Sequence, residues 1–290
     1  MSQMSPRVHT IAVIGLGLIG GSLAKATKQT GFAAHTMGYS LNFSEVKLGV
    51  ELGVVDSAAS SVEEAVKNAD IVVVAVPVKA FESTLAEIKP YLKLGAILTD
   101  VGSVKGCFIL AVEKIFGSMP DFVVPGHPIA GSENFGPLAA KENLFSGKRC
   151  ILTPEMDTDR DVVRTVCEMW ESIGSMVSEM DAEDHDQMFA SVSHLPHLLA
   201  YASIQAIADS STPEALSHSG AGLKDFSRIA SSSPEMWADI FLENQENLLS
   251  RINTFKDVVA KLEDAIKRND KEKLIELLAQ AKTERDRWMT

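Results

Sequence analysis

The run Thr10–Ile14 followed by Gly15-Leu-Gly-Leu-Ile-Gly20 leaves this chain few choices of fold. A short apolar run leads into three glycines, and Leu18–Thr30 then carries a helical pattern. In such a strand–loop–helix unit Gly15 permits a tight turn and Gly17 lets the backbone approach a pyrophosphate. Gly20 lets the helix lie close on the strand. The helix N-terminus presents N–H groups and the positive end of its dipole to phosphates. A lone motif of this kind is weak, but a second strand, His35–Tyr39, follows at the expected distance. The unit is read as a dinucleotide site, with Gly15, Gly17, Leu18, Ile19 and Gly20 at the cofactor. A glycine turn without a ligand is the alternative.

The first half repeats this alternation. Ser44–Leu52 is helical, Ile71–Val76 is an apolar run ended by Pro77, and Ile97–Asp100 and Phe122–Pro125 follow with helical stretches between. Apolar runs that do not alternate suit strands covered on both faces. The expected fold of residues 1–180 is an α/β Rossmann-type doubly wound parallel sheet, which a strand at Cys150–Thr153 would extend. Val76 and Pro77 join the cofactor-binding residues. At the end of the second strand Ser40 stands where an acid would bind the adenosine ribose. No acid repels a 2′-phosphate there and no arginine welcomes one. Ser40 and Asn42 can hydrogen-bond either cofactor, so NAD is expected with NADP open.

From about Asp181 no strand-like run occurs. Asp181–Asp209 is a long helical stretch with Pro196 as its expected bend, and Ser233-Pro234-Glu235 is a helix start. Leu248, Ile252, Phe255, Val259, Leu262 and Ile266 then recur at alternating four- and three-residue steps, a heptad seam. Residues 181–290 are expected to be an all-α substrate and dimerisation domain, with a homodimer built on that seam. Packing within one subunit is the alternative. The acids Asp181, Glu183, Asp184 and Asp186 read as a helix start facing water.

Composition narrows the partners. A formal net charge of −12 over 290 residues repels nucleic acid and anionic lipid. Cys107, Cys150 and Cys167 are too scattered for a zinc site and suit free thiols in a reducing compartment. The apolar stretch Ile11–Ala26 resembles a signal segment only superficially, because four glycines and Lys25 interrupt it. A cytoplasmic protein with neither a metal nor a membrane partner is expected.

Five further strings carry the chemistry. They are Asp100-Val-Gly-Ser103-Val-Lys-Gly106, His127-Pro-Ile-Ala-Gly-Ser-Glu133, Ser193-His-Leu-Pro-His197, Gly222-Leu-Lys-Asp-Phe-Ser-Arg228 and Met236-Trp237-Ala-Asp-Ile-Phe-Leu-Glu-Asn244. Together with the glycine loop they resemble the prephenate dehydrogenase family of tyrosine biosynthesis, which includes enzymes acting on arogenate. The resemblance runs from Ile11 to the final helix. It implies oxidative decarboxylation of prephenate to 4-hydroxyphenylpyruvate with hydride transfer to NAD(P), and a dimer built by the helical domain.

Within that resemblance His127 is the expected base for the C4 hydroxyl, because a histidine titrates near working pH. A loop histidine bonded to backbone is the plainer reading. Ser103 resembles the family serine that bonds the histidine or the substrate, and a helix cap is its alternative. Arg228 is expected to clamp a carboxylate, with Asp225 either orienting it or pairing with it structurally. His197 and Ser193 are assigned to substrate, Ser132 and Glu133 to the cavity wall, and Trp237 to its cover or to ordinary core. His194 reads as a packed or capping histidine.

Overall fold

Val8–Ile14 forms strand β1, Leu18–Gln29 helix α1, Ala33–Tyr39 β2, Phe43–Glu51 α2, Ser57–Ala58 β3 and Val62–Val66 α3. Ile71–Val74 forms β4, Phe81–Ile88 α4, Ile97–Asp100 β5, Lys105–Phe116 α5 and Val123–Val124 β6. In the computed structural model, which describes residues 6–131, 136–210, 212 and 215–289, these strands make one parallel sheet in the order β3-β2-β1-β4-β5-β6. The order reverses between β1 and β4, which opens a crevice beyond their carboxyl ends.

The unbroken apolar runs have the cause expected of them. Ile11, Val13, Ile71 and Val73 pack on one face with Leu23 of α1, while Ala12, Ile14, Val72 and Val74 pack on the other with Leu85 of α4 and Phe108 of α5. Each buried aliphatic side chain contributes roughly 1.5–3 kcal/mol, so both faces must be covered for the sheet to hold.

Cys150–Thr153 does not extend this sheet. Gly126–Pro128 (β7), Arg149–Leu152 (β8) and Met176–Glu179 (β9) form a second, three-stranded sheet, with Arg160–Ser172 (α6) between the last two. There β8 runs antiparallel to β7 and parallel to β9. Pro125, between β6 and β7, has no N–H for a ladder. The chain leaves the first sheet at that point, and the Pro125 carbonyl accepts from Thr153 N at 3.0 Å instead.

The remainder is helical: Ala182–Phe189 (α7), Leu195–Ser210 (α8), Ala221–Ser227 (α9), Pro234–Glu243 (α10), Gln245–Lys267 (α11) and Lys271–Met289 (α12). Pro234 opens α10, with Ser233 Oγ accepting from Met236 N at 3.3 Å. Between α7 and α8 the expected bend takes the form of a π-helical turn over Ala190–His194. Pro196 has no N–H for the Val192 carbonyl and its ring crowds that oxygen, so a wider turn relieves the clash. Val104, Trp237 and Ile240 pack together where α10 meets the start of α5, and Lys79 pairs with Glu243 across the same junction. No helix among the described residues is long and apolar enough to cross a membrane.

Candidate active site

The glycine loop lies at the head of the crevice. Gly15 has φ of +103°, and a Cβ there would meet Ala75 O at 2.4 Å. A Cβ on Gly20 would meet Gly15 O at 2.1 Å, whereas one on Gly17 would meet nothing within 4 Å. Two glycines are thus demanded by the fold, and the third keeps open space in front of the loop. Helix α1 begins at Leu18 without a side-chain cap. The N–H groups of Leu18, Ile19 and Gly20 therefore have no acceptor among the described residues. Val76 and Pro77 follow β4 on the other side of the loop, and Ser40 stands half-buried just past β2. Asn42 is committed elsewhere: its Oδ1 accepts from Ser44 N at 3.2 Å and its Nδ2 donates to Glu45. It caps α2. An open glycine face and unpaired helix N–H groups fit a dinucleotide pyrophosphate.

His127 sits in β7 and is 8% exposed. Two side chains, one from the end of β5 and one from the start of α5, hold its neighbour in the chain. Asp100 Oδ1 accepts from Gly126 N at 3.0 Å, and Lys105 Nζ donates to Gly126 O at 2.6 Å. Lys105 and Asp100 pair with each other at 2.5 Å, both fully buried. His127 Nδ1 lies 2.9 Å from His185 Nε2, and His185 Nδ1 lies 2.8 Å from Asp186 Oδ1. The Asp186 carboxylate also accepts from the backbone N–H groups of Lys105 and Gly106, each at 2.8 Å, at the first turn of α5. Burial pushes the His127 imidazole well below the ordinary histidine range, and the neighbouring His185 acts in the same direction. Phe189 covers the two rings, tilted at 4.7 Å from His127 and stacked at 4.5 Å on His185.

The π-helical turn brings the histidine pair to the same place. His197 Nδ1 donates to Ser193 O at 2.9 Å, and its ring stacks on Trp237 at 3.6 Å. Burial lowers the His197 pKa and the nearby Arg228 guanidinium adds to the effect. Arg228 is exposed and has no carboxylate partner among the described residues. Asp225 is exposed as well, and the structural ion pair weighed for these two is not formed. His194 is fully buried, 3.1 Å from Asn244 Nδ2, and burial lowers its pKa to about 4. It lies within electrostatic reach of His127, His185 and His197. The fold thus gathers four of the chain's seven histidines.

Trp237 is buried between His197 and Phe241, and its Nε1 lacks an acceptor among the described residues. Ser103 is half-buried after β5 and bonds neither His127 nor any other described residue. It is also not the helix cap: Val104 holds that position, and the Asp186 side chain supplies the acceptor. Ser132 and Glu133 lie outside the described residues.

The nucleotide-binding domain model of the prephenate dehydrogenases matches residues 23–179, and their dimerization domain model matches residues 181–280. The chain belongs to the prephenate dehydrogenase family. A cyclohexadienyl dehydrogenase of Zymomonas mobilis is 36% identical over 271 residues, which cover 92% of this chain and 91% of that one. A prephenate dehydrogenase of Bacillus subtilis is 34% identical over 99% of this chain and 77% of its own length. The crystal structure of prephenate dehydrogenase from A. aeolicus, in complex with hydroxyphenyl propionate and NAD+, superposes with a TM-score of 0.90 at 37% identity, covering 99% of both chains.

For this prephenate dehydrogenase family member, reading the residues in order missed four side chains around His127. They are Asp100 and Lys105, to which the sequence assigns no role, His185, and Asp186, which the sequence groups with acids facing water. Asp181 does behave that way, accepting from Glu183 N and Asp184 N. Asp186 is five residues on, far enough around the helix to face inward.

Proposed function

We propose that the chain is an NAD-dependent prephenate dehydrogenase working as a homodimer. The observation that carries this reading is a buried, neutral imidazole at His127, held through Nδ1 by the His185–Asp186 pair, in a chain whose Arg228 has no carboxylate partner among the described residues. Prephenate has a C4 hydroxyl, a ring carboxylate and a pyruvyl carboxylate, and needs one proton acceptor and one anion clamp. NAD held by the glycine loop would accept the hydride from C4. His127 takes the hydroxyl proton as the C4–O bond gains carbonyl character. The C1–carboxylate bond then breaks to release carbon dioxide, its electron pair makes the ring aromatic, and the proton returns to the phenolate oxygen.

Arg228 meets the pyruvyl carboxylate in a charge-assisted contact. His197, neutral and stacked on Trp237, stands beside it with Ser193, and Ser103 borders the C4 end. The exposed seam of α11 supports pairing through a second copy, as does the match to a dimerization domain.

The test is a four-way assay: prephenate and arogenate, each with NAD and NADP, followed by the absorbance of the reduced nicotinamide. Turnover is expected with prephenate and NAD, and a preference for arogenate would overturn the substrate. His127→Asn is expected to lower kcat by about 10²–10⁴-fold with prephenate still bound. An unchanged rate would remove His127 as the base.

A further inference from the structure

The residues behind His127 bear on which of its two nitrogens is free to act. Asp186 is fixed as an acceptor, because two backbone N–H groups at the start of α5 already donate to its oxygens. Its hydrogen bond with His185 therefore takes the proton on His185 Nδ1. Burial keeps His185 below the ordinary histidine range, against the opposing pull of Asp186. A neutral His185 protonated on Nδ1 has a lone pair on Nε2, the atom 2.9 Å from His127 Nδ1. His127 must then donate through Nδ1 and leave Nε2 bare.

We propose that His185 and Asp186 are positioning residues that lock His127 in its Nδ1–H tautomer, so that Nε2 is the atom that receives the substrate proton. The proposal rests on the reading of His127 as the base and adds how that base is set. When Nε2 takes the proton, the Nδ1–H bond to His185 persists, and the charge on His127 is stabilised through the chain that ends at the Asp186 carboxylate. The logic is that of an aspartate orienting a catalytic histidine, with a second imidazole inserted between the two.

Two substitutions separate this from a packing role. His185→Phe keeps a flat ring against Phe189 and removes the acceptor. A buried Nδ1–H left without a partner shifts the tautomer balance toward Nε2–H by about 10–100-fold, and kcat is expected to fall by that factor. KM for the substrate and the dissociation constant for NAD should hold. His185→Gln loses the ring but can place a carbonyl oxygen where Nε2 was, and is expected to recover most of the lost kcat. If the ring matters only for packing, the order reverses: phenylalanine is tolerated and glutamine is not. That order would overturn the proposal.

The closing measurement is a ¹⁵N spectrum of the histidine side chains in the substrate-free enzyme, with the His127 signal assigned by its absence in His127→Asn. A protonated Nδ1 and a bare Nε2 are expected at neutral pH, with the reverse in His185→Phe. Protonation of Nε2 in the unsubstituted enzyme sinks the idea even if the phenylalanine variant does not fold. Because this spectrum needs no turnover, it answers separately from whether prephenate is the substrate.

Discussion

Gly17 and Gly20 stand three residues apart at the start of α1 and answer to different demands. At Gly20 a Cβ would lie 2.1 Å from Gly15 O and 2.8 Å from the Ala75 Cβ, so neither backbone nor neighbour can give way cheaply. Gly20→Ala is expected to destabilise the fold by about 1–3 kcal/mol, the usual range for overpacking. Gly17 has φ of −73°, ordinary for any residue, and open space before it. Gly17→Ala should keep stability within about 0.5 kcal/mol. Its methyl group would instead hold a pyrophosphate away from the helix N–H groups, and losing one or two charge-assisted hydrogen bonds weakens NAD about 10–100-fold. Thermal melts and a fluorescence titration with NAD measure both. Full NAD affinity in Gly17→Ala would take the phosphate role from that position.

At the scale of elements, legibility followed physical cause. Strands β1, β4 and β5 could be read because burial on both faces demands an unbroken apolar run. Helix α11 could be read because its apolar residues recur at helical spacing. The partner of β8 was hidden: Cys150–Leu152 is as apolar as any central strand, and its neighbours are decided by Pro125, some 25 residues earlier. His127 and Arg228 are singled out in the sequence by residue type alone, and the structure puts His127 in the buried histidine cluster and Arg228 near His197. The buried partners of His127 are not singled out, since an acid cluster does not reveal which member turns inward. The seam of α11 carries a prediction. Leu248 is buried within the subunit, but Phe255, Val259 and Ile266 are 37%, 42% and 64% exposed. A charge at Val259 therefore costs the isolated subunit little, while in a self-pairing seam it is buried unpaired in an apolar setting. Val259→Glu is expected to fold normally and to sediment as a monomer. A dimer that survives it would move the interface off α11.

For the whole molecule, the buried histidines tie stability to pH. His127, His185 and His194 are all held below the ordinary histidine range by burial, His194 down to about 4. In the unfolded chain each titrates near 6.5. Between those values the unfolded state binds the extra protons, so stability is lost as pH falls from about 6.5 toward 4 and is level above that window. His194 alone accounts for on the order of 3 kcal/mol by pH 4, a large share of the roughly 5–15 kcal/mol that holds a typical protein together. Denaturant midpoints should therefore stay level just above neutral pH and drop steeply below about 6.5. His194→Asn, which can still accept from Asn244, should shallow that drop. Activity is predicted to follow the same curve, because it fails with the fold and not through titration of the base. His127 stays neutral well below the usual histidine range, so the base remains competent while the fold is failing. Loss of kcat/KM on acidification should then coincide with unfolding seen by circular dichroism. A decline through the ordinary histidine range in a fully folded enzyme would mean that the proton acceptor is an exposed group and not the imidazole buried behind Phe189.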